Sequence, residues 1–135
     1  MKELVRILLV EDEPDILLIT RLALEKIGNY QVLICGSGRE ALRSGPAFVP
    51  DLILLDNMMP GMDGVETMKA MRALPVLGAI PIVFLTASNE KETREELIRK
   101  GALEVIFKPF EPHALIEQIR SIWQRRANSP ETRRP

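Results

Sequence analysis

Four stretches of this chain place chemistry-bearing residues at the ends of aliphatic runs. "LLVEDE" ends in Glu11, Asp12 and Glu13, "LILLD" in Asp56, "IVFLT" in Thr86 and "EVIFK" in Lys108. A carboxylate at the end of a buried apolar run is costly to desolvate, so Asp56 needs a compensating reason to stand there. Crowded carboxylates repel one another, and either some hold protons or a cation joins them. Mg²⁺ suits such a set, because it takes hard oxygen ligands, typically one or two carboxylates, keeps waters and accepts phosphate oxygens. Lys108 adds a fixed positive charge and Thr86 a hydroxyl donor. Together they could hold and neutralise a phosphoryl group.

That chemistry requires elements that bring the four run ends to one place. The apolar runs cover Leu4–Val10, Tyr30–Cys35, Asp51–Leu55, Ile80–Leu85 and Glu104–Phe107. They are short, rich in branched residues and several are apolar on both faces, as strands buried in a parallel sheet are. Helical patterns lie between them. Ile16, Ile19, Ala23 and Ile27 fall at helical spacing, with Pro14 suited to the first turn and Gly28 to the C-terminal cap. Ser37 with Glu40 reads as a capping box opening a second helix. Val65, Met68, Met71 and Leu74 share a face of a third, which stops before Pro75. A fourth, over Ser88–Lys100, is mostly charged, with Leu97 and Ile98 as its apolar anchors. Leu115, Ile119, Ile122 and Trp123 stripe the fifth.

Strand–helix alternation predicts an α/β fold: a doubly wound five-stranded parallel sheet with five helices, joined by right-handed crossovers. Ligand sites in such sheets lie beyond the carboxyl ends of the strands, where strand order reverses. The 135 residues suit one core, and 46% hydrophobic with 27% charged residues is a globular balance. A formal net charge of -1 argues against a dedicated nucleic-acid surface. One cysteine, Cys35, cannot build a disulfide frame, which points to a reducing, cytoplasmic setting. No run is long enough to span a bilayer, and "MKELVRILLVEDEP" turns acidic too soon for a signal peptide. The expected organisation is one domain over residues 1–126 and a mobile polar tail over 127–135.

The segments "LLVEDEPD", "DLILLDNMMPGMDG", "IPIVFLTAS" and "GALEVIFKPF" resemble, in order and spacing from about Leu4 to Arg126, the receiver domains of two-component response regulators. The resemblance implies the flavodoxin-like strand order 2-1-3-4-5. It implies that Asp56 is the phosphoacceptor, serving a sensor histidine kinase or histidine phosphotransfer protein. Asp12 and Asp56 would bind Mg²⁺ with the backbone carbonyl of Met58, and Glu11 would support the acidic pocket. Thr86 would read the phosphoryl group. Lys108 would pair with Asp56 before phosphorylation and with the phosphoryl group after it. Pro109 would follow in the cis form, and Pro60, Gly61 and Gly64 would shape the loop after Asp56. A receiver of this kind acts on itself and is not a turnover enzyme on other substrates. It would switch binding to a downstream protein target that the sequence does not name, with no direct nucleic acid or membrane contact. Met58 and Ser88 stand where the family tunes phosphate lifetime.

One position departs from the family. Three residues before Lys108, relatives usually carry a rotating aromatic ring; here the residue is Val105. A β-branched side chain is stiff at χ1 and cannot report by moving, which leaves the switch to Thr86–Asn89 and the fourth helix. The bland reading of Asp56 is a loop cap at a strand end, and it weakens because Asp12, Thr86 and Lys108 are in register with it. Glu13, Asp15 and Asp63 read as helix N-terminal or capping acids. His113 reads as an exposed surface residue, Met59 as core and Cys35 as buried and inert. A dehalogenase-type Asp phosphatase would need its nucleophile after the first strand, where "EDEP" stands instead. A receiver-like module that is never phosphorylated would not need the full Asp, Asp, Thr and Lys set. The expectation is a stand-alone receiver rather than one cut from a longer regulator.

Overall fold

In the computed structural model, residues 2–87 and 91–127 are described. The strands are β1 (Arg6–Val10), β2 (Gln31–Cys35), β3 (Leu52–Asp56), β4 (Ile82–Thr86) and β5 (Glu104–Phe107). The helices are α1 (Pro14–Leu22), α2 (Gly38–Phe48), α3 (Gly64–Arg72), α4 (Lys91–Arg99) and α5 (Pro112–Ala127). All strand pairs are parallel and the order is β2-β1-β3-β4-β5, as expected. The order reverses between β1 and β3, so the crevice there opens at Val10 and Asp56.

Strand alternation divides the core into two. Ile7, Leu9, Leu52, Leu54, Val83, Leu85 and Ile106 point to the side covered by α1 and α5, where Leu115, Ile119, Ile122 and Trp123 are buried. Leu8, Val10, Ile53, Leu55, Phe84 and Val105 point to the side covered by α2, α3 and α4, among them Met59, Met68, Met71 and Leu97. Every residue of β3 and β4 is buried, the state that their unbroken apolar runs predict. No helix among the described residues is long and apolar enough to cross a membrane.

Several details differ from the sequence reading. Ile19 is 44% exposed; Thr20 of α1 is buried in its place, and beyond the helix Ala23 is buried as expected, together with Leu24. Ile19 sits roughly 100° round the helix from Thr20, so both cannot face the sheet. The helix continues into one π-helical turn, Ala23–Ile27, in which the Gly28 N–H donates to the Ala23 carbonyl at 3.0 Å. The extra residue in that turn lets Ala23 and Leu24 both reach the core. The capping box of α2 is half formed. Ser37 Oγ accepts the Glu40 N–H at 3.1 Å, but the Glu40 carboxylate accepts from Gly36, one residue further back. The full box belongs to α3, where Asp63 and Glu66 cap each other's N–H groups at 2.9 and 3.2 Å. Strand β3 begins at Leu52, one residue later than expected, and the Asp51 side chain just before it ties down the start of β1: its Oδ2 accepts the Val5 and Arg6 N–H groups, and its Oδ1 meets Lys2 at 2.9 Å. The expected start of the fourth helix at Ser88, the role of Ser88 and the end of the switch segment at Asn89 lie outside the described residues. So does the expected tail beyond Ala127.

Candidate functional site

The carboxyl ends of β1, β3, β4 and β5 bring the expected residues together. Carboxylate oxygens of Glu11, Asp12 and Asp56 all lie within 4.8 Å of one another. Glu11 is fully buried just past β1, Asp56 is buried as the last residue of β3, and Asp12 is exposed at the mouth. Lys108 reaches in from the end of β5, its Nζ 2.8 Å from Glu11 Oε1 and 3.4 Å from Asp56 Oδ1. Thr86 is the buried last residue of β4, and its carbonyl accepts the Lys108 N–H at 2.7 Å. Lys108–Pro109 is a cis peptide bond, as expected.

Each side chain is fixed by its neighbours. Glu11 Oε2 accepts the Asp12 and Glu13 N–H groups at 3.1 and 3.2 Å, so both of its oxygens are engaged. Asp56 Oδ1 accepts the Met58 N–H at 3.1 Å, which folds the loop back over the strand end. The Met58 side chain is 73% exposed, whereas Met59 turns into the core. Gly61 has a φ of 78°, a turn conformation glycine adopts without strain. At Gly64 a Cβ would stand 2.6 Å from the Asp56 carbonyl oxygen and 2.7 Å from the Phe84 ring. Glycine there lets α3 start directly behind the strand end.

Electrostatics oppose one another within a few ångströms. Burial, followed by the nearby Glu11 carboxylate, pushes the Asp56 carboxyl above its ordinary range, and the Met58 N–H and Lys108 only partly offset this. Burial acts against the Lys108 ammonium too, but Glu11 and Asp56 outweigh it and hold its pKa above the ordinary lysine value. Lys108 thus meets two of the three carboxylates, Glu11 and Asp56. Three carboxylates, one facing solvent, form a hard oxygen donor set that fits a small divalent cation such as Mg²⁺.

The family model for the response regulator receiver domain matches residues 7–120. The chain belongs to the response regulator receiver domain family. This receiver is 35% identical over 120 residues to the alkaline phosphatase synthesis transcriptional regulatory protein PhoP of Bacillus subtilis, covering 89% of the chain and 49% of that protein. It is 37% identical to the transcriptional regulatory protein ResD of the same organism, over 89% of the chain and 48% of that protein. The chain therefore spans about half the length of the curated relatives it matches. Among solved structures, the chemotaxis protein CheY4 of Vibrio cholerae superposes with a TM-score of 0.81 at 31% identity, over 89% of this chain and 99% of that one.

His113, Asp63 and Cys35 stand as the sequence reading expects, as an exposed helix residue, a cap and a buried thiol. The His113 side chain is 74% exposed at the start of α5, with Nδ1 3.2 Å from Glu111 Oε1. Asp63 caps α3. Cys35 is buried, and burial pushes its thiol up to about 11. Two features escaped sequence reasoning. The closest partner of Lys108 is Glu11 rather than Asp56. Arg94 of α4 forms a two-pronged ion pair with Glu104 of β5. No local signal marks that pair, because the charges of "KETREELIR" read as a solvated helix face.

Proposed function

We propose that this receiver accepts a phosphoryl group on Asp56 from a phosphohistidine of a sensor histidine kinase or histidine phosphotransfer protein, and that the acquired charge switches binding to a downstream protein. The observation that carries this reading is the placement of a buried Asp56 carboxylate 3.4 Å from the Lys108 ammonium, within a three-carboxylate cluster open to solvent at Asp12. An Asp56 oxygen attacks phosphorus as the N–P bond of the donor breaks, and that bond's electron pair returns to the imidazole. The product is an acyl phosphate, which water later hydrolyses. Asp12, Asp56 and the Met58 carbonyl would hold Mg²⁺, with Glu11 in support, and the ion would supply positive charge to offset that of the transferring group. Lys108 supplies the chain's own fixed charge on the other side, and Thr86 supplies a hydroxyl donor.

The receiver is thereby its own catalyst and does not turn over other substrates. Its place is the cytoplasm, where kinase and target would meet it. Engagement of Thr86 by the phosphoryl group draws on the segment leading to α4. A hundredfold shift of a two-state surface needs about 2.7 kcal/mol of differential interaction, within reach of one or two charge-assisted hydrogen bonds. Relatives named as transcriptional or DNA-binding regulators are about twice as long as this chain.

The test is incubation with acetyl phosphate and Mg²⁺, followed by intact-mass measurement. One acid-labile phosphoryl group is expected on the wild type and none on Asp56→Asn. Equal labelling of Asp56→Asn would place the acceptor elsewhere.

A further inference from the structure

The foot of the sheet, at the amino ends of β4 and β5, holds a cluster that the phosphoacceptor chemistry does not use. Arg72 is the last residue of α3, and its guanidinium spans the two loops that lead into those strands. Nη1 donates to the Gly78 and Ile80 carbonyls at 3.4 and 2.8 Å, and Nη2 donates to the Gly101 carbonyl at 3.1 Å. Two of these acceptors are glycines at positions that suit no side chain. A Cβ at Gly78 would stand 2.9 Å from the Arg72 carbonyl oxygen, and Gly101 has a φ of 123°.

The guanidinium is therefore fixed by backbone alone. Among the described residues no carboxylate pairs with it, and burial pulls its pKa below the ordinary arginine value with no acidic neighbour to raise it. The three bonds leave Nε–H and one Nη2–H without a partner among the described residues, the number of donors a carboxylate takes in a two-pronged pair. Beside it opens a cavity of about 630 Å³ at the carboxyl ends of α3, α4 and α5. Ile80, Ile98 and Leu103 form its apolar walls, and Arg126 adds a second cation. Among the described residues that line it, none is acidic. The result is a largely apolar hollow of ligand size with a fixed, incompletely bonded cation on its wall.

We propose that this cavity is a second binding site, for a small carboxylate with a short hydrocarbon body. The carboxylate pairs with the free donors of Arg72, whose planar guanidinium is already oriented by its three carbonyl bonds, so little freedom is lost on binding. The hydrocarbon body leaves water against Ile80, Ile98 and Leu103. A ligand so placed touches the end of α3, the entry to β4 and the turn from α4 into β5 at once. Ile82 begins β4 at this end of the sheet, whereas Asp56 pairs with Leu85 at the other. The site is thus separate from the acidic cluster, and its occupancy does not depend on what Asp56 accepts.

Backbone amide NMR of the full chain tests this with three probes, octanoate, octan-1-ol and acetate, at pH 7 and fixed ionic strength. Octanoate is expected to shift the Gly78, Ile80, Gly101 and Ala102 amides saturably, with a Kd below about 1 mM. Octan-1-ol has the same body without the charge, and acetate the charge without the body. Each is expected to bind at least about tenfold more weakly, the worth of one charge-assisted hydrogen bond or of a few buried methylenes. Arg72→Gln is expected to weaken octanoate by about the same factor. Absence of a saturable response to octanoate up to about 10 mM would sink the proposal. Shifts confined to amides away from the foot of the sheet would sink it too. Equal affinities for octanoate and octan-1-ol would show that no anion is recognised, and that comparison needs only wild type, so it decides the matter even where Arg72→Gln fails to fold.

Discussion

Lys108 and Glu11 are paired across the sheet, Nζ to Oε1 at 2.8 Å, and the Glu11 side chain is fully buried. The same ammonium stands further from Asp56, at 3.4 Å. Glu11 thus keeps the cation beside Asp56 without committing it there. A group transferred to Asp56 can draw Lys108 over by a small movement.

That arrangement ranks two substitutions. Lys108→Met leaves two buried carboxylates with no cation and is expected to cost about 3 kcal/mol in urea denaturation at pH 7. Glu11→Gln is expected to cost clearly less, because Lys108 can turn to Asp56 and one like-charge contact disappears. Equal losses would show that Lys108 cannot move between its partners. Phosphorylated Lys108→Met is expected to keep its label but to lose the partner affinity gained by wild type.

Asp51 and Asp56 are both buried and titrate in opposite directions. Burial and Glu11 raise Asp56, so the native state holds a proton that the unfolded chain has already lost. Stability therefore falls as pH rises from the unfolded carboxylate value through the raised native one. Asp56→Asn is expected to raise the Tm by a few °C at pH 7, with the advantage fading at acid pH where Asp56 is neutral. For Asp51 the burial penalty is outweighed by the Arg6 N–H, Lys2 and the Val5 N–H, which hold its carboxyl low. Its contribution is present above the unfolded carboxylate value and is lost as pH falls through the lower native one. Asp51→Asn is expected to cost about 1–3 kcal/mol at pH 7 and little in acid.

Cation binding is measurable without phosphorylation. A tenfold excess of Mg²⁺ over its Kd stabilises a folded receiver by about 1.4 kcal/mol. Thermal melts of wild type are expected to shift upward with Mg²⁺, and those of Asp12→Ala to shift much less. An equal shift in Asp12→Ala would remove Asp12 from the cation site.

Thr20 Oγ1 is fully enclosed in the inner face of α1 with no hydrogen-bond partner. A hydroxyl left unpaired in the core is a standing cost, and valine has the same shape without it. Thr20→Val is expected to stabilise the fold by about 1 kcal/mol, read as a rise in urea midpoint at unchanged slope.

Cys35 is expected to resist thiol reagents at pH 8 while the protein is folded and to react fully once it is denatured, because burial followed by the Glu40 charge holds the thiol protonated up to about 11. Rapid labelling of the native protein would mean that the end of β2 opens far more readily than its burial allows.

The sequence by itself determined the five strands and which polar residues stand at the ends of four of them, whereas the strand order and the roles of those residues came from the resemblance to receiver domains. Five short branched-aliphatic runs alternating with helical patterns are buried on both faces as neighbouring parallel strands, and the polar residues ending four of them emerge on one edge. Asp12, Asp56, Thr86 and Lys108 were legible for that reason. Contacts between residues far apart in the chain were decided by the tertiary structure alone. Glu11 and Lys108 are 97 positions apart, and nothing local distinguishes Glu11 from Asp12 as the lysine's closer partner. Helical spacing offered Ile19 to the core, but the rotation of α1 on the sheet buries Thr20 and exposes Ile19. Arg94 and Glu104 each look like ordinary surface charges until α4 is laid beside the edge strand. Periodicity and burial act within one element and can be read along the chain. The direction of a side chain toward another element depends on how the two are packed, which no single segment encodes.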